Sequence, residues 1–278
     1  MRSIEAALRE DKAWQDITTA SFLPKDSVIQ AEVVFKGERA ILCGGKILKQ
    51  VFQARDRNLK VRVLVAEGSE IRKGTRVARA SGKAAGILSA ERVALNFLCH
   101  LTGIATRVHQ FVSLSKKRIM ISDTRKTHPL LRDFEKYAVK VGGGAPHRGD
   151  LASMAMVKDN HLIAMRRYYG ARWSSELAKR TRQIQRRGLE VEIEAQSIKE
   201  LKEILPAKPD WIMLDNMGGH LKEAIAVIGE YAPKTKIEVS GGVTLEDIPK
   251  LSLFPIHRVS MGSLTYGASF ADFSLEVL

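Results

Sequence analysis

Apolar positions recur in short bursts along the second half of this chain, and each burst is followed by a helical pattern. Six bursts read as strands: Ile119 to Asp123, Met154 to Lys158, Glu190 to Glu194, Trp211 to Asp215, Lys236 to Ser240, and Arg258 to Gly262. Strands alternating with helices from about Thr102 onward predict a βα barrel or an open parallel sheet. In the third strand Val191 and Ile193 alternate with Glu190, Glu192 and Glu194; in the fifth, Ile237 and Val239 alternate with Glu238 and Ser240. A sheet covered by helices on both faces reads as continuously apolar, so this alternation favours a barrel with a polar, ligand-holding interior. Arg125, Lys126, Lys158, Glu194, Asp215, Ser240 and Gly262 fall at or just past the strand C-termini, where barrel enzymes place their catalytic groups.

The first hundred residues follow another rhythm. Val28 to Phe35, Arg39 to Cys43, Lys60 to Ala66 and Thr75 to Ala80 read as strands, with Gly37, Gly68 and Gly74 as turn signals. They lead into ILSAERVALNFLCHLTGIAT, where Ser89 is expected to cap a helix that buries Val93, Phe97, Leu98 and Leu101. Arg92 and Asn96 share another face of that helix. The organisation expected is a small N-terminal α+β domain over residues 1–101 and an α/β barrel over 102–266, with the tail, 267–278, packing back on the first domain.

The 278 residues, 45% hydrophobic, suffice for a sizeable core. A net charge of +14 raises the question of nucleic acid, and Arg166, Arg167, Arg172, Lys179, Arg180, Arg182, Arg186 and Arg187 form its densest cluster. A helix from about Ser174 to Arg187 with Leu177, Ala178 and Ile184 facing inward puts these cations on a solvated face, and no nucleic-acid motif accompanies them. A basic surface also draws in anionic substrates. MRSIEAALREDKAW lacks the apolar core of a signal peptide and no run approaches the ~20 apolar residues that span a bilayer, so a cytoplasmic protein without membrane contact is expected. Cys43 and Cys99 lie outside any Cys-x-x-Cys pattern and read as buried free thiols.

The segment DTRKTHPLLRDFEKYAVKVGGGAPHRGDLASMAMVKDNH, Asp123 to His161, concentrates the candidate chemistry. Arg125, Lys126, His147, Arg148 and Lys158 surround Gly142 to Gly144, a composition suited to a small polyanion, with glycines that let backbone approach a ligand. Taken singly, each residue also fits a solvated strand end, a structural ion pair or a helix cap. Joint placement favours a site. His161 reads as a hydrogen-bonded structural residue and stays outside the catalytic set.

This segment resembles the signature of quinolinate phosphoribosyltransferases, in which DTRKT, GGG-x-x-HR and KDNH runs follow in this order and spacing. LREDKAWQDITT, SAERVALNFLCHLTGIAT, VEIEAQS, IMLDN, EVSGGV and GSLTYGASFADFSLEV extend the resemblance over nearly the whole chain. It implies a small N-terminal α/β domain, an incomplete six-stranded α/β barrel, and a homodimer, or a hexamer of such dimers, with active sites shared between subunits. The implied reaction joins quinolinate to phosphoribosyl pyrophosphate and releases pyrophosphate and carbon dioxide, giving nicotinate mononucleotide for NAD synthesis. By the same resemblance Arg125, His147 and Arg148 meet the two quinolinate carboxylates, Thr124 belongs to the substrate site, and Arg92 reaches the quinolinate of the neighbouring subunit. Lys126 and Lys158 contact phosphoribosyl pyrophosphate, and Glu194 and Asp215 stand near the ribose hydroxyls and Mg2+. Backbone N–H groups of Ser240, Gly241, Gly242, Gly262 and Ser263 surround a phosphate. Lys126, Lys158, Glu194 and Asp215 form the catalytic set.

Departures from the pattern are His128 and Leu130, where Thr and Gly are common, Pro146 in place of Asn, and Tyr266 in place of His. Pro146 also matches a related family associated with molybdenum transport, whose resemblance fails at KDNH. Two other readings compete: a barrel lyase with Lys158 as Schiff-base nucleophile, and a basic nucleic-acid-binding protein.

Overall fold

A computed structural model describes residues 2–278, which form two compact units. The first comprises the chain up to His109 together with Thr127–Gly143 and Ser263–Leu278. It contains helices α1 (Arg2–Glu10), α2 (Ile17–Phe22), α3 (Gly45–Arg55) and α5 (Arg132–Val141) and all but the last six residues of α4 (Ala84–Ser115). Its strands are β1 (Val28–Phe35), β2 (Arg39–Ile41), β3 (Lys60–Val63), β4 (Glu70–Arg72) and β5 (Arg76–Lys83). The C-terminal strand, Phe273–Val277, lies antiparallel to β1 from Ala31↔Val277 to Phe35↔Phe273, and completes a four-stranded sheet with β5 and β3. Phe35 and Phe273 bury their rings together at 5.1 Å.

Several boundaries differ from the sequence reading, each for a local reason. The strand begun at Arg39 stops at Ile41, because Cys43 exchanges hydrogen bonds with Thr102 Oγ1 at 3.1 and 2.9 Å and Gly44, at φ 105°, turns the chain into α3. β3 ends at Val63, not Ala66, and β5 starts one residue late and runs on to Lys83. β4, only three residues long, has too little pattern to be read. Ser89 does not cap a helix: α4 begins at Ala84 and runs for 32 residues, and the Ser89 hydroxyl donates back to the Ala85 carbonyl. The helix stops where Lys116 and Lys117 take left-handed φ values of 49° and 59°.

The second unit, Gln110–Lys126 and Gly144–Gly262, is built on six parallel strands. They are β6 (Met120–Ser122), β7 (Ala155–Val157), β8 (Val191–Ala195), β9 (Trp211–Asp215), β10 (Lys236–Ser240) and β11 (Arg258–Ser260). Helices α6 (Asp159–Tyr169), α7 (Trp173–Gln185), α8 (Ile198–Ile204), α9 (Leu221–Tyr231) and α10 (Ile248–Leu251) follow them. The order β6-β11-β10-β9-β8-β7 runs round the unit and leaves it open between β6 and β7.

Side chains show that this sheet curls. β8 and β11 are three strands apart, about 14 Å in a flat sheet, yet Arg258 Nη2 on β11 lies 3.2 Å from Glu192 on β8. Its Nε meets Glu238 on β10, and its guanidinium stacks 3.9 Å from the ring centroid of Trp211. All five residues of β8 are buried, and Glu192 and Glu238 are fully so. The polar face of the alternating strands is therefore an interior floored by ion pairs, and the strands are an incomplete α/β barrel.

On α7, Leu177 and Thr181 are buried, whereas Ala178 and Ile184 are only half-buried. Part of the basic cluster is locally neutralised, Arg166 by Glu200 and Glu203 at 3.3 and 2.9 Å, and Lys179 and Arg180 by Glu176. No helix among the described residues is long and apolar enough to cross a membrane.

Candidate active site

The barrel strands end at a cavity of about 390 Å³. Thr124, Arg125, Lys126, His147, Arg148, Lys158, Asp215 and Ser240 line it, together with Met156, Met213 and Ser260, which the sequence did not single out. Lys126 and Lys158 bring its cations to four with the two arginines, against one lining carboxylate, Asp215. A cavity so charged suits an anion.

The segment 144–148 is laced to the first barrel strand. Ala145 N–H donates to the Ile121 carbonyl at 2.8 Å, the Ser122 hydroxyl contacts the Ala145 carbonyl, and His147 N–H donates to the buried Asp123 carboxylate at 2.7 Å. Asp123 thereby fixes the backbone of His147. Arg148 Nη1 donates to the Met154 carbonyl at 2.9 Å. Burial, and then the positive field of Arg125, hold the Arg148 guanidinium below the usual arginine range. Arg125 Nε is buried with no hydrogen-bond partner among the described residues.

The His147 ring is almost wholly buried. Its Nδ1 accepts from Arg148 N–H at 2.7 Å, and its Nε2 stands 3.3 Å from both Glu192 and Glu238. Burial opposes a charge on the ring, and the two carboxylates outweigh it and raise the pKa. The hydrogen bond accepted at Nδ1 leaves the ring proton on Nε2, on the side of the two carboxylates. Burial raises the Glu192 pKa; in Glu238 it is outweighed by the His147 and Arg258 contacts, which lower it.

Lys158 immediately precedes α6, and its N–H donates to His161 Nδ1 at 3.1 Å, so His161 helps cap that helix. The Lys158 ammonium pairs with Glu194, which also accepts from Gln196 Nε2 at 3.1 Å. Asp215 ends β9 and accepts from Asn216 Nδ2 at 2.9 Å. Burial, and next the charge of Glu194, raise the Asp215 pKa. Gly241 and Gly242 follow β10 with φ values of 92° and 59°. At Gly241 only glycine fits, since a Cβ would stand 2.3 Å from Asn216 Oδ1.

Other candidates lie elsewhere. Gly142 serves packing: a Cβ there would be 2.5 Å from the Ala105 carbonyl of α4. Gly262 and Ser263 form a short 3-10 turn past β11. Arg92 is exposed on α4 and lines a separate cavity of the first unit with His128 and Leu130. Leu130 has φ 64°, the left-handed region that explains why glycine suits this position.

Family models agree with this architecture. The quinolinate phosphoribosyl transferase N-terminal domain matches residues 16–102, and the C-terminal domain matches 104–276. The chain belongs to the quinolinate phosphoribosyl transferase family. Among its relatives, the probable nicotinate-nucleotide pyrophosphorylase (carboxylating) of Bacillus subtilis is 36% identical over 96% of this chain and 90% of its own. The corresponding protein of Methanocaldococcus jannaschii is 34% identical over 100% of this chain and 97% of its own. The crystal structure of nicotinate-nucleotide pyrophosphorylase from Ehrlichia chaffeensis superimposes with a TM-score of 0.89 at 30% identity, covering 100% of this chain and 98% of that one.

Proposed function

We infer that this protein is a quinolinate phosphoribosyltransferase (decarboxylating), which converts quinolinate and phosphoribosyl pyrophosphate to nicotinate mononucleotide, pyrophosphate and carbon dioxide in NAD biosynthesis. The observation that carries the reading is the juxtaposition of Arg125 and Arg148 in one cavity, with a buried Arg125 Nε left to donate. Two guanidiniums held within reach of each other's field are costly without an anion between them, and vicinal carboxylates supply one. His147, its Nε2 3.3 Å from both Glu192 and Glu238, braces this wall.

Lys126 and Lys158 face the phosphoribosyl pyrophosphate, and the backbone past Ser240, opened by Gly241 and Gly242, offers N–H groups to a phosphate. Glu194 and Asp215 are oxygen donors at adjacent strand ends, and the raised Asp215 pKa marks a carboxylate in need of a cation; both features suit Mg2+. Bound there, Mg2+ supplies charge neutralisation for the departing pyrophosphate. No general base is needed, because the pyridine nitrogen carries a lone pair. It forms the bond to the ribose carbon as the bond to pyrophosphate breaks, and Lys158 stabilises the charge that leaves. The resulting pyridinium ring holds the electron pair released with carbon dioxide until a proton replaces the carboxylate.

The reading extends to a cytoplasmic homodimer, with hexamers as a further assembly, in which Arg92 completes the site of the neighbouring subunit. The test is incubation with quinolinate, phosphoribosyl pyrophosphate and Mg2+, with detection of nicotinate mononucleotide. Nicotinate in place of quinolinate is expected to react at least about 1,000-fold less efficiently, since it leaves cations unpaired. Absence of product, or equal use of nicotinate, defeats the reading.

A further inference from the structure

Two imidazoles and a buried carboxylate converge in the first unit, apart from the residues given to the phosphoribosyl transfer. His100 Nε2 lies 2.8 Å from Glu135 Oε1, and His128 Nδ1 lies 2.6 Å from the same oxygen. The three ligand atoms all fall within 4.8 Å of one another. His100 comes from α4, Glu135 from α5 and His128 from the loop before α5, so the fold gathers them from separate elements. Both histidines line a cavity of about 540 Å³, to whose wall Glu10 and Asp11 add carboxylates. The His100 ring is more than nine-tenths buried, and its Nδ1 has no hydrogen-bond partner among the described residues.

We propose that His100, His128 and Glu135 form a binding site for a divalent transition metal, with Zn2+ its best fit, whose remaining coordination positions open to this cavity. Zinc takes imidazole nitrogen and carboxylate oxygen at about 2.0–2.2 Å, which sets neighbouring ligand atoms about 3.3 Å apart. The nitrogen–oxygen separations here, 2.8 and 2.6 Å, need to widen by about 0.5–0.7 Å for that geometry. His128 can give, since its side chain is half exposed on a loop, while His100 and Glu135 are held rigidly in the core. Two nitrogen donors select against Mg2+ and Ca2+, which prefer oxygen. The carboxylate of Glu135 is wholly buried, and a cation bound between it and the two imidazoles would compensate its charge. Arg92 is the single Lys or Arg lining the cavity.

The test uses the full chain, stripped with chelator and titrated with Zn2+ by calorimetry and with Co2+ by visible absorption. One equivalent of Zn2+ per chain is expected, with binding about 100-fold weaker in His128→Thr and no competition from equimolar Mg2+. X-ray absorption of the Zn2+-loaded wild-type chain is expected to show two imidazole ligands, a signature that the His147–Glu192–Glu238 cluster, with one histidine, cannot give. Unchanged affinity in His128→Thr, fewer than two imidazoles, or no Zn2+ uptake overturns the proposal. None of these readouts depends on the phosphoribosyl transfer.

Discussion

The ammonium of Lys158 is paired with the carboxylate of Glu194, and the two differ sharply in exposure: the Lys158 side chain is 43% accessible and that of Glu194 only 5%. A half-exposed cation thus rests on a buried anion at the mouth of the barrel. Lys158→Ala is expected to reduce turnover about 100- to 1,000-fold with quinolinate binding retained. Arg148→Ala is expected to weaken quinolinate binding about 100-fold. Calorimetric titration of both variants decides the map; the reverse pattern would exchange the two halves of the site.

Asp215 has a pKa raised by burial and by Glu194, so it takes up a proton at a higher pH than an ordinary aspartate. Protonation competes with a cation, and activity at limiting Mg2+ is expected to fall on the acid side at a pH above the normal aspartate range. Saturating Mg2+ should move that limb to lower pH, and excess chelator should abolish turnover. A pH–rate profile at two Mg2+ concentrations measures the shift. An acid limb insensitive to Mg2+ removes Asp215 from the metal site.

Arg258 pairs with two buried carboxylates, Glu192 and Glu238. Arg258→Met is expected to destabilise the fold by about 3–5 kcal/mol at neutral pH, because both anions lose their cation. The lowered pKa of Glu238 contributes stability above the unfolded carboxylate range, and that contribution is lost as pH falls through the folded value. Without Arg258 the depression of the Glu238 pKa shrinks and the rise at Glu192 grows, so the penalty is largest at high pH and shrinks on acidification. Urea midpoints for wild type and variant at neutral and acid pH check the sign.

Arg92 and Lys158 belong to different units of the chain. In the shared-site dimer proposed above, Arg92→Ala and Lys158→Ala are each nearly inactive, but a hybrid dimer contains one site with both residues intact. Random reassortment makes half the dimers hybrids with one working site of two, so refolding the two together is expected to restore about a quarter of wild-type activity. No recovery in verified hybrids means that Arg92 serves its own chain.

What was legible in the sequence is what local periodicity encodes. The six barrel strands are readable as short apolar runs between helical patterns, two of them with Val191, Ile193, Ile237 and Val239 alternating with polar residues, and strand C-termini mark where a barrel opens. Arg125, Lys126, Lys158, Asp215 and Ser240 were placed at one mouth by that rule alone. Termination was poorly legible, as at Ser89, because a serine at a helix start and one bonded back to the preceding turn have the same identity in sequence.

Tertiary structure alone decided which polar residues meet. Glu192 and Glu238 were visible as members of a polar face, but their union with Arg258 and His147 depends on the curl and register of strands that are not neighbours. The triple glycine drew attention as a ligand approach, yet Gly142 answers to a helix packed against it. His100, His128 and Glu135 lie as much as 35 residues apart and follow no common motif. Sequence spacing fixes which face of its own element a side chain takes, whereas contact between elements is set by packing.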